Sequence, residues 1–213
     1  MDELQLRLRP FLKSHGFQMQ ARTCNRISSD GLTHVINFQM GRFDPPGANY
    51  IPWFRSKLHG KFTVNIGIYV PEVYAEFFQW SKKGPPSLVR EADCCINKRL
   101  GILGHKRQDI WWELKDLEDI TDEIRQRIER DALPFLERFE TRDRVLAVLA
   151  DAENKFVLEG MRCEIRAIIL AARGQVADAT QILATYFQQT MEVEKKKHIQ
   201  DLALRLGLGK FDI

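Results

Sequence analysis

Four side chains that could perform acid–base chemistry lie close together in the sequence. His105 sits in a glycine-containing segment, and Asp109 follows it by four positions. Arg99 precedes this pair and Glu113 follows it. A histidine oriented by a carboxylate can serve as a general base, and an arginine can hold an anionic group of a substrate. One hypothesis is therefore a small hydrolase or transferase centred on these four residues, although an exposed loop histidine is the simpler interpretation.

A second set of residues is suited to binding. Over residues 61–71, apolar side chains alternate with polar ones that carry no charge after Lys61, which is typical of an antiparallel strand with one buried face. Neighbouring strands in the same phase place amides, one arginine and two aromatic rings on the opposite, outer face. Amides supply donors and acceptors, and rings supply contact area. The predicted binding residues are Asn37, Gln39, Thr63, Asn65, Tyr69, Asn97, Arg99, Trp111 and Glu113. An ordinary solvated sheet face is the alternative.

The strands that would position these residues follow from alternation and turn residues. Asp30-Gly31 lies between two β-prone runs and predicts a hairpin. Alternation places Cys94 and Trp112 on the core face and Trp111 on the outer face. The prediction is a sheet of about five antiparallel strands, at residues 23–28, 32–40, 61–71, 94–100 and 110–114.

Helical spacing of apolar residues accounts for much of the remaining chain. A first helix over 3–15 is expected to end at Gly16, and Pro10 is expected to kink or divide it. Pro134 is similarly expected to break or bend a helix over 119–139. The other predicted helices cover residues 72–80, 145–152, 156–172, 176–190 and 193–206.

The strand signals end near residue 140, and this change is the predicted domain boundary. Residues 1–140 are interpreted as an α+β domain and residues 141–213 as a helical extension. The junction over 170–179 resembles the helix hairpin of tetratricopeptide repeats, but no second copy lies at the expected period of about 34 residues. Residues 41–60 contain three prolines and three glycines and are interpreted as a long loop, whose role the sequence leaves open.

Composition is that of a globular protein with a hydrophobic core: 44% of residues are hydrophobic and 29% are charged. The net charge of +3 is distributed as +7 over residues 1–109, −5 over 110–140 and +1 over 141–213. Nucleic-acid binding by the basic part is a third hypothesis, and the interspersed acids and the lack of a recognised motif argue against it. The acidic helix and the basic sheet region are interpreted as complementary surfaces.

The four cysteines indicate a reducing compartment. No pair among Cys24, Cys94, Cys95 and Cys163 has the spacing of a metal knuckle, so we expect buried thiols and neither a metal nor a cofactor. The chain starts without a basic region followed by an apolar run, and its longest purely apolar run is too short to cross a bilayer. A cytoplasmic location without membrane association is the resulting expectation.

Residues 1 to about 140 resemble an uncharacterised bacterial group, the domain-of-unknown-function family four-three-zero-four. The resemblance rests on Gly16-Phe17 after an initial helix and on four longer segments. These segments are 62–71, 94–101, 109–114 and 133–136. The resemblance implies an α+β fold and carries no catalytic or binding residues over to this chain.

The leading hypothesis is a non-enzymatic binding protein that uses the outer face of an antiparallel sheet. The uncharged, aromatic-containing face carries this interpretation, together with the lack of a phosphate loop, nucleophile elbow or zinc motif in the sequence. We expect the partner to be another protein. The oligomeric state is left open.

Overall fold

A computed structural model describes residues 1–41, 58–79, 84–151, 153 and 157–211. These residues form two compact units, one of 1–69 with 86–140 and one of 70–85 with 141–213. Residues 42–57, which make up most of the predicted loop, lie outside the described ranges. The division at residue 140 that composition suggested stays a prediction.

The described part of the first unit contains an antiparallel sheet of six strands. Their bounds are β1 Gln18–Gln20, β2 Thr23–Ile27, β3 Thr33–Met40, β4 Lys61–Tyr69, β5 Ile96–Arg99 and β6 Trp112–Glu113. The strand order is β1-β2-β3-β4-β5, and β6 pairs with β4 beyond the end of β5. The predicted α+β class with an antiparallel sheet and helical C-terminal part is confirmed. The short polar strand β1 was not predicted.

In the described ranges, α-helices complete both units. Their bounds are α1 Asp2–Ser14, α2 Pro71–Phe77, α3 Leu100–Leu103, α4 Leu117–Arg127, α5 Leu133–Glu137, α6 Arg142–Ala150, α7 Glu159–Ala172, α8 Val176–Gln189 and α9 Val193–Arg205. None of them combines the length and apolarity that crossing a membrane requires.

The β2–β3 hairpin has the turn that its sequence predicted. Ser28 donates its N–H to the carbonyl of Leu32 at 2.8 Å, and Gly31 adopts a φ of +76°. Glycine takes this left-handed conformation without steric cost, which favours the three-residue turn Ser29-Asp30-Gly31. The turn fixes the register in which Asn37 lies opposite Thr23.

The two internal prolines have different effects. Pro10 lies inside α1 without dividing it, and the carbonyl that loses its hydrogen bond belongs to Leu6, a residue that is 58% exposed. The predicted division of this helix is therefore wrong. Before Pro134 the helix widens into a π-helical turn, Ile128–Ala132, and Pro134 then occupies the first turn of α5.

The even-numbered residues of β3 and β4 form the core face of the sheet. Phe62, Val64, Ile66 and Ile68 are fully buried there. Trp112 pairs with Phe62 in register, with ring centroids 5.8 Å apart, so its predicted position on the core face is confirmed. The Arg127 guanidinium of α4 lies 6.0 Å from the Trp112 ring, which places this helix against the same face.

A buried polar network joins the core face to the end of α5. His34 is fully buried, and its Nε2 lies 3.2 Å from the carbonyl oxygen of Phe139. An Arg26 nitrogen lies 3.0 Å from His34 Nδ1, and because arginine can only donate, the histidine is neutral with its proton on Nε2. Burial lowers the pKa of His34, and the hydrogen bond to the Phe139 carbonyl and the charge of Glu140 only partly offset this effect.

Residues 86–95, here called the crossing segment, run over the outer face of the sheet. Asn25 donates to the carbonyl of Val89 at 2.9 Å and accepts the Val89 N–H at 3.1 Å. Further along, Cys94 lies over Gly67, where an added Cβ would come within 2.6 Å of its sulfur. The predicted core-face position of Cys94 is therefore wrong, because the strand begins only at Ile96.

In the second unit, ion pairs attach α2 to the C-terminal helices. Arg142 donates to both carboxylate oxygens of Glu72, at 2.6 and 2.8 Å, and Arg205 donates to Glu76 at 3.1 Å. Thr141 caps α6 by accepting the N–H of Arg144. The helices predicted at 72–80 and beyond residue 140 are confirmed, with shifts of a few residues at their ends.

Gly67→Ala is expected to destabilise the protein by about 1–3 kcal/mol, because the new methyl group would overpack the contact with Cys94. Urea unfolding measures this change. Gly84→Ala is the matched control, since nothing lies within 4 Å of a Cβ at that position. Adding Cys94→Ala to Gly67→Ala should restore part of the loss; no restoration would contradict the proposed contact.

The free energy of unfolding is expected to fall as the pH drops below about 6.5, the ordinary histidine pKa. The folded-state pKa of His34 is lower, so the unfolded chain binds more protons over this interval. Urea unfolding at several pH values between 7.5 and 5 tests this, with a smaller dependence expected for His34→Gln. Identical slopes for wild type and His34→Gln would refute the assignment.

Candidate functional site on the outer face of the sheet

Strand register brings most of the predicted binding residues onto one face. Asn37 lies opposite Asn65, which lies opposite Arg99 on β5. Gln39 lies opposite Thr63, Gly67 opposite Asn97, and Lys61 opposite Glu113. Because side chains at directly opposed positions share a face, the alternation predicted this grouping in the right phase.

Burial separates the residues that a partner could reach from those it could not. Thr63 is fully buried, Tyr69 is 4% exposed and Asn65 is 7% exposed. A partner therefore cannot reach these three side chains. The predicted residues that remain at least partly exposed are Asn37, Gln39, Asn97, Arg99, Trp111 and Glu113.

An open cleft of about 470 Å³ lies between the exposed end of β3 and the crossing segment. Asn37 and Gln39 line it from the sheet, Arg90 and Glu91 from the crossing segment, and Trp111 from the segment before β6. Its volume lies within the range of about 300–1,000 Å³ that is usual for ligand sites. The fold thus builds a concavity at the predicted face.

Hydrogen bonds from the buried Asn65 hold the amides that line the sheet side of the cleft. Asn65 donates to Gln39 Oε1 at 2.8 Å and lies 3.5 Å from Asn37 Oδ1. Asn37 in turn donates to Thr23 Oγ1 at 2.9 Å and to the carbonyl of Arg22 at 3.3 Å. The Asn37 and Asn65 amides are therefore held in place, and the exposed Gln39 can offer its NH₂ group to a partner.

Arg99, Asp109 and Trp111 form one cluster beside the cleft. Arg99 pairs with Asp109, and its guanidinium lies 5.0 Å from the Trp111 ring. The Trp111 indole N–H also donates to Asp109, at 3.4 Å. Side-chain exposures of 36% for Arg99 and 45% for Asp109 leave the cluster open to contact. A positioned arginine stacked on tryptophan is typical of an interface anchor.

The four residues of the acid–base hypothesis do not form one hydrogen-bonded group within the described ranges. Asp109 pairs with Arg99, while hydrogen bonds from Lys115 and Lys61 lower the pKa of the Glu113 carboxyl. Glu113 is therefore an ionised carboxylate that forms ion pairs with two lysines. His105 is exposed and makes no hydrogen bond to the other three residues within the described ranges. The structure does not align this histidine with an orienting carboxylate.

The four cysteines form no disulfide, and burial suppresses the acidity of Cys24, Cys94 and Cys163. Burial raises the pKa of Cys24 to about 12 and raises the pKa of Cys94 well above its ordinary value. These thiols therefore stay protonated and pack as small apolar groups. Among the described residues, no three His, Cys, Asp or Glu side chains are grouped to hold a metal ion.

Sequence reasoning missed the contribution of Arg22, Arg90 and Glu91 to the cleft. These residues lie in a turn and in the crossing segment, where periodicity gives no signal. Gly67 did offer a sequence signal, because a glycine inside a strand marks a place where another backbone or side chain approaches closely. Cys94 is the group that approaches.

Comparison with known proteins gives a family and nothing narrower. The model of the family described as Domain of unknown function (DUF4304) matches residues 8–138. No curated protein and no solved structure matches the chain at a significant level. The matched segment contains every residue that lines the cleft.

Asn65→Ala is expected to destabilise the fold by about 1 kcal/mol, because it removes the donor that holds Gln39. Asn97→Ala, on the same face and exposed, should change stability by less than about 0.5 kcal/mol. Chemical denaturation of both variants measures the difference. Equal effects would show that the amide row beside the cleft is not a structural network.

Proposed function

The chain belongs to the DUF4304 family, whose description assigns no activity, and from the site itself we propose that the protein is a non-enzymatic binding protein. The exposed part of the outer sheet face binds another protein. The observation that carries this proposal is the Arg99–Asp109–Trp111 cluster beside a cleft whose sheet side is lined by amides. The proposed contact residues are Asn37, Gln39, Asn97, Arg99, Trp111 and Glu113.

Pre-organisation supports binding at this surface. Association costs conformational entropy wherever side chains must be immobilised, and that cost is lower when they are already held. Asn37 is fixed by Thr23 and by the Arg22 carbonyl, and Trp111 by Asp109 and Arg99. Arginine and tryptophan are also the residue types whose truncation most often costs binding energy at interfaces.

The distribution of charge supports a protein partner over a nucleic acid. Arg99 is paired with Asp109, and Lys61 lies 3.4 Å from Glu113. Glu91 lines the cleft together with Arg22 and Arg90. A surface for a phosphate backbone needs a contiguous basic stripe, whereas this mixture of both signs with amides and a ring suits a protein surface.

We also propose a cytoplasmic, bacterial setting. The buried thiols of Cys24, Cys94 and Cys95, none of which forms a disulfide, support a reducing compartment. The bacterial assignment comes from the family resemblance. Localisation of a tagged chain in cell fractions tests the compartment, with a periplasmic or secreted location contradicting it.

Trp111→Ala and Arg99→Ala are each expected to weaken partner binding by at least about tenfold, since both remove the proposed anchor. Quantitative affinity capture from cells compares the proteins retained by wild type and by each variant. A purified partner is then titrated by calorimetry. Arg7→Ala, an exposed arginine on α1, is the control and should retain binding.

Two results would overturn the proposal. One is an identical set of captured proteins for wild type, Trp111→Ala and Arg99→Ala, with circular dichroism showing that all are folded. The other is a partner whose affinity depends on salt as steeply as a nucleic-acid ligand requires and is insensitive to both substitutions.

A further inference from the structure

The second unit contains a groove among its helices that the proposed function does not use. Helix α7 packs against both α6 and α8, and a groove of about 430 Å³ lies along these three helices. Leu146, Ala147 and Ala150 of α6 line one wall, and Ile182 of α8 lines the other. Leu170 and Arg166 of α7 complete the lining.

Arg166 gives this groove a chemical preference. Its Nε is buried, and within the described ranges it has no hydrogen-bond partner. No carboxylate of those ranges pairs with its guanidinium, although Asp178 lines the same groove. Other arginines of this unit are paired, such as Arg142 with Glu72 and Arg205 with Glu76.

Burying the Arg166 Nε–H without a partner is costly, because this donor has lost water and gained no hydrogen bond. A carboxylate supplied from outside would satisfy it with a charge-assisted hydrogen bond. The apolar walls require that this carboxylate be carried by a segment that also presents apolar side chains. The ligand is therefore defined by two features: a carboxylate that pairs with Arg166 and apolar side chains that contact the groove walls.

We propose that the groove binds an amphipathic helix of another protein, with an Asp or Glu of that helix paired to Arg166. Ala147 and Ala150 are three residues apart on α6 and therefore share a face, and their small side chains allow a helix backbone to approach closely. Leu146, Leu170 and Ile182 receive the apolar side chains of the incoming helix, in the helix-in-groove mode of recognition. This site is independent of the outer sheet face.

The probe is a displayed library of helical peptides of about 18 residues, or five turns. Leucine and alanine are fixed on one face, and the flanking positions sample Glu, Gln and Lys. Selection on the full wild-type chain should enrich Glu at one flanking position. The selected peptide, measured by fluorescence polarisation, should bind Arg166→Met at least about tenfold more weakly and Arg166→Lys less weakly than that.

Two matched variants separate groove binding from other effects. Ala147→Arg adds a long side chain to the groove wall and should abolish peptide binding, while Trp111→Ala should leave it unchanged. Arg166→Met should melt at the same temperature as wild type or higher, because it removes an unpaired buried donor. A large drop in its melting temperature would instead assign Arg166 a structural role and overturn the proposal.

The proposal is also overturned if no peptide is enriched in a groove-dependent manner, or if the Glu preference persists on Arg166→Met. A concentration-dependent dimer in sedimentation that Ala147→Arg converts to a monomer would make a second copy of the chain the occupant. Loss of partner capture by Trp111→Ala without loss of peptide binding would confirm that the two surfaces act separately.

Discussion

The placement of β4 determines the organisation of the first unit. This strand is paired with β3 along one edge and with β5 and β6 along the other, and its residues Phe62 to Tyr69 are all buried. A shift of one residue would exchange its fully buried apolar side chains with Thr63, Asn65 and Gly67. That shift would take the apolar side chains out of the core and Asn65 away from its partners Gln39 and Asn37, and this cost fixes the register and with it the row of amides beside the cleft.

The crossing segment makes the outer face a shaped surface. Asn25 pairs with the Val89 backbone through both atoms of its amide, in the manner of a strand partner, and Gly67 leaves the space that Cys94 fills. These contacts cover the centre of the face and leave the ends of β3 and β5 open. Covered and exposed parts of one sheet face thus have separate roles: the covered part stabilises the fold, and the exposed part is available to a partner.

Local signals explain what the sequence could predict. The alternation over β4, the Asp30-Gly31 turn and the glycine after α1 each act within a few residues, and Gly16 indeed takes a φ of +81° while Phe17 bonds back to Leu12 at 3.0 Å. The crossing segment depends on a contact between Asn25 and Val89, 64 positions apart, and α2 joins the helical unit through Glu72 and Arg142, 70 positions apart. Such pairs have no periodic signature, so the cleft and the composition of the second unit required the structure.

The most direct measurement is photo-crosslinking in cells with a benzophenone amino acid placed at position 111. We expect a covalent adduct with a specific protein from this position and none from position 125, which is exposed on α4. Mass spectrometry identifies the adduct and the crosslinked residue. Adducts formed equally from both positions, or from neither while the chain is folded and expressed, would contradict the assignment of the outer sheet face as a protein-binding surface.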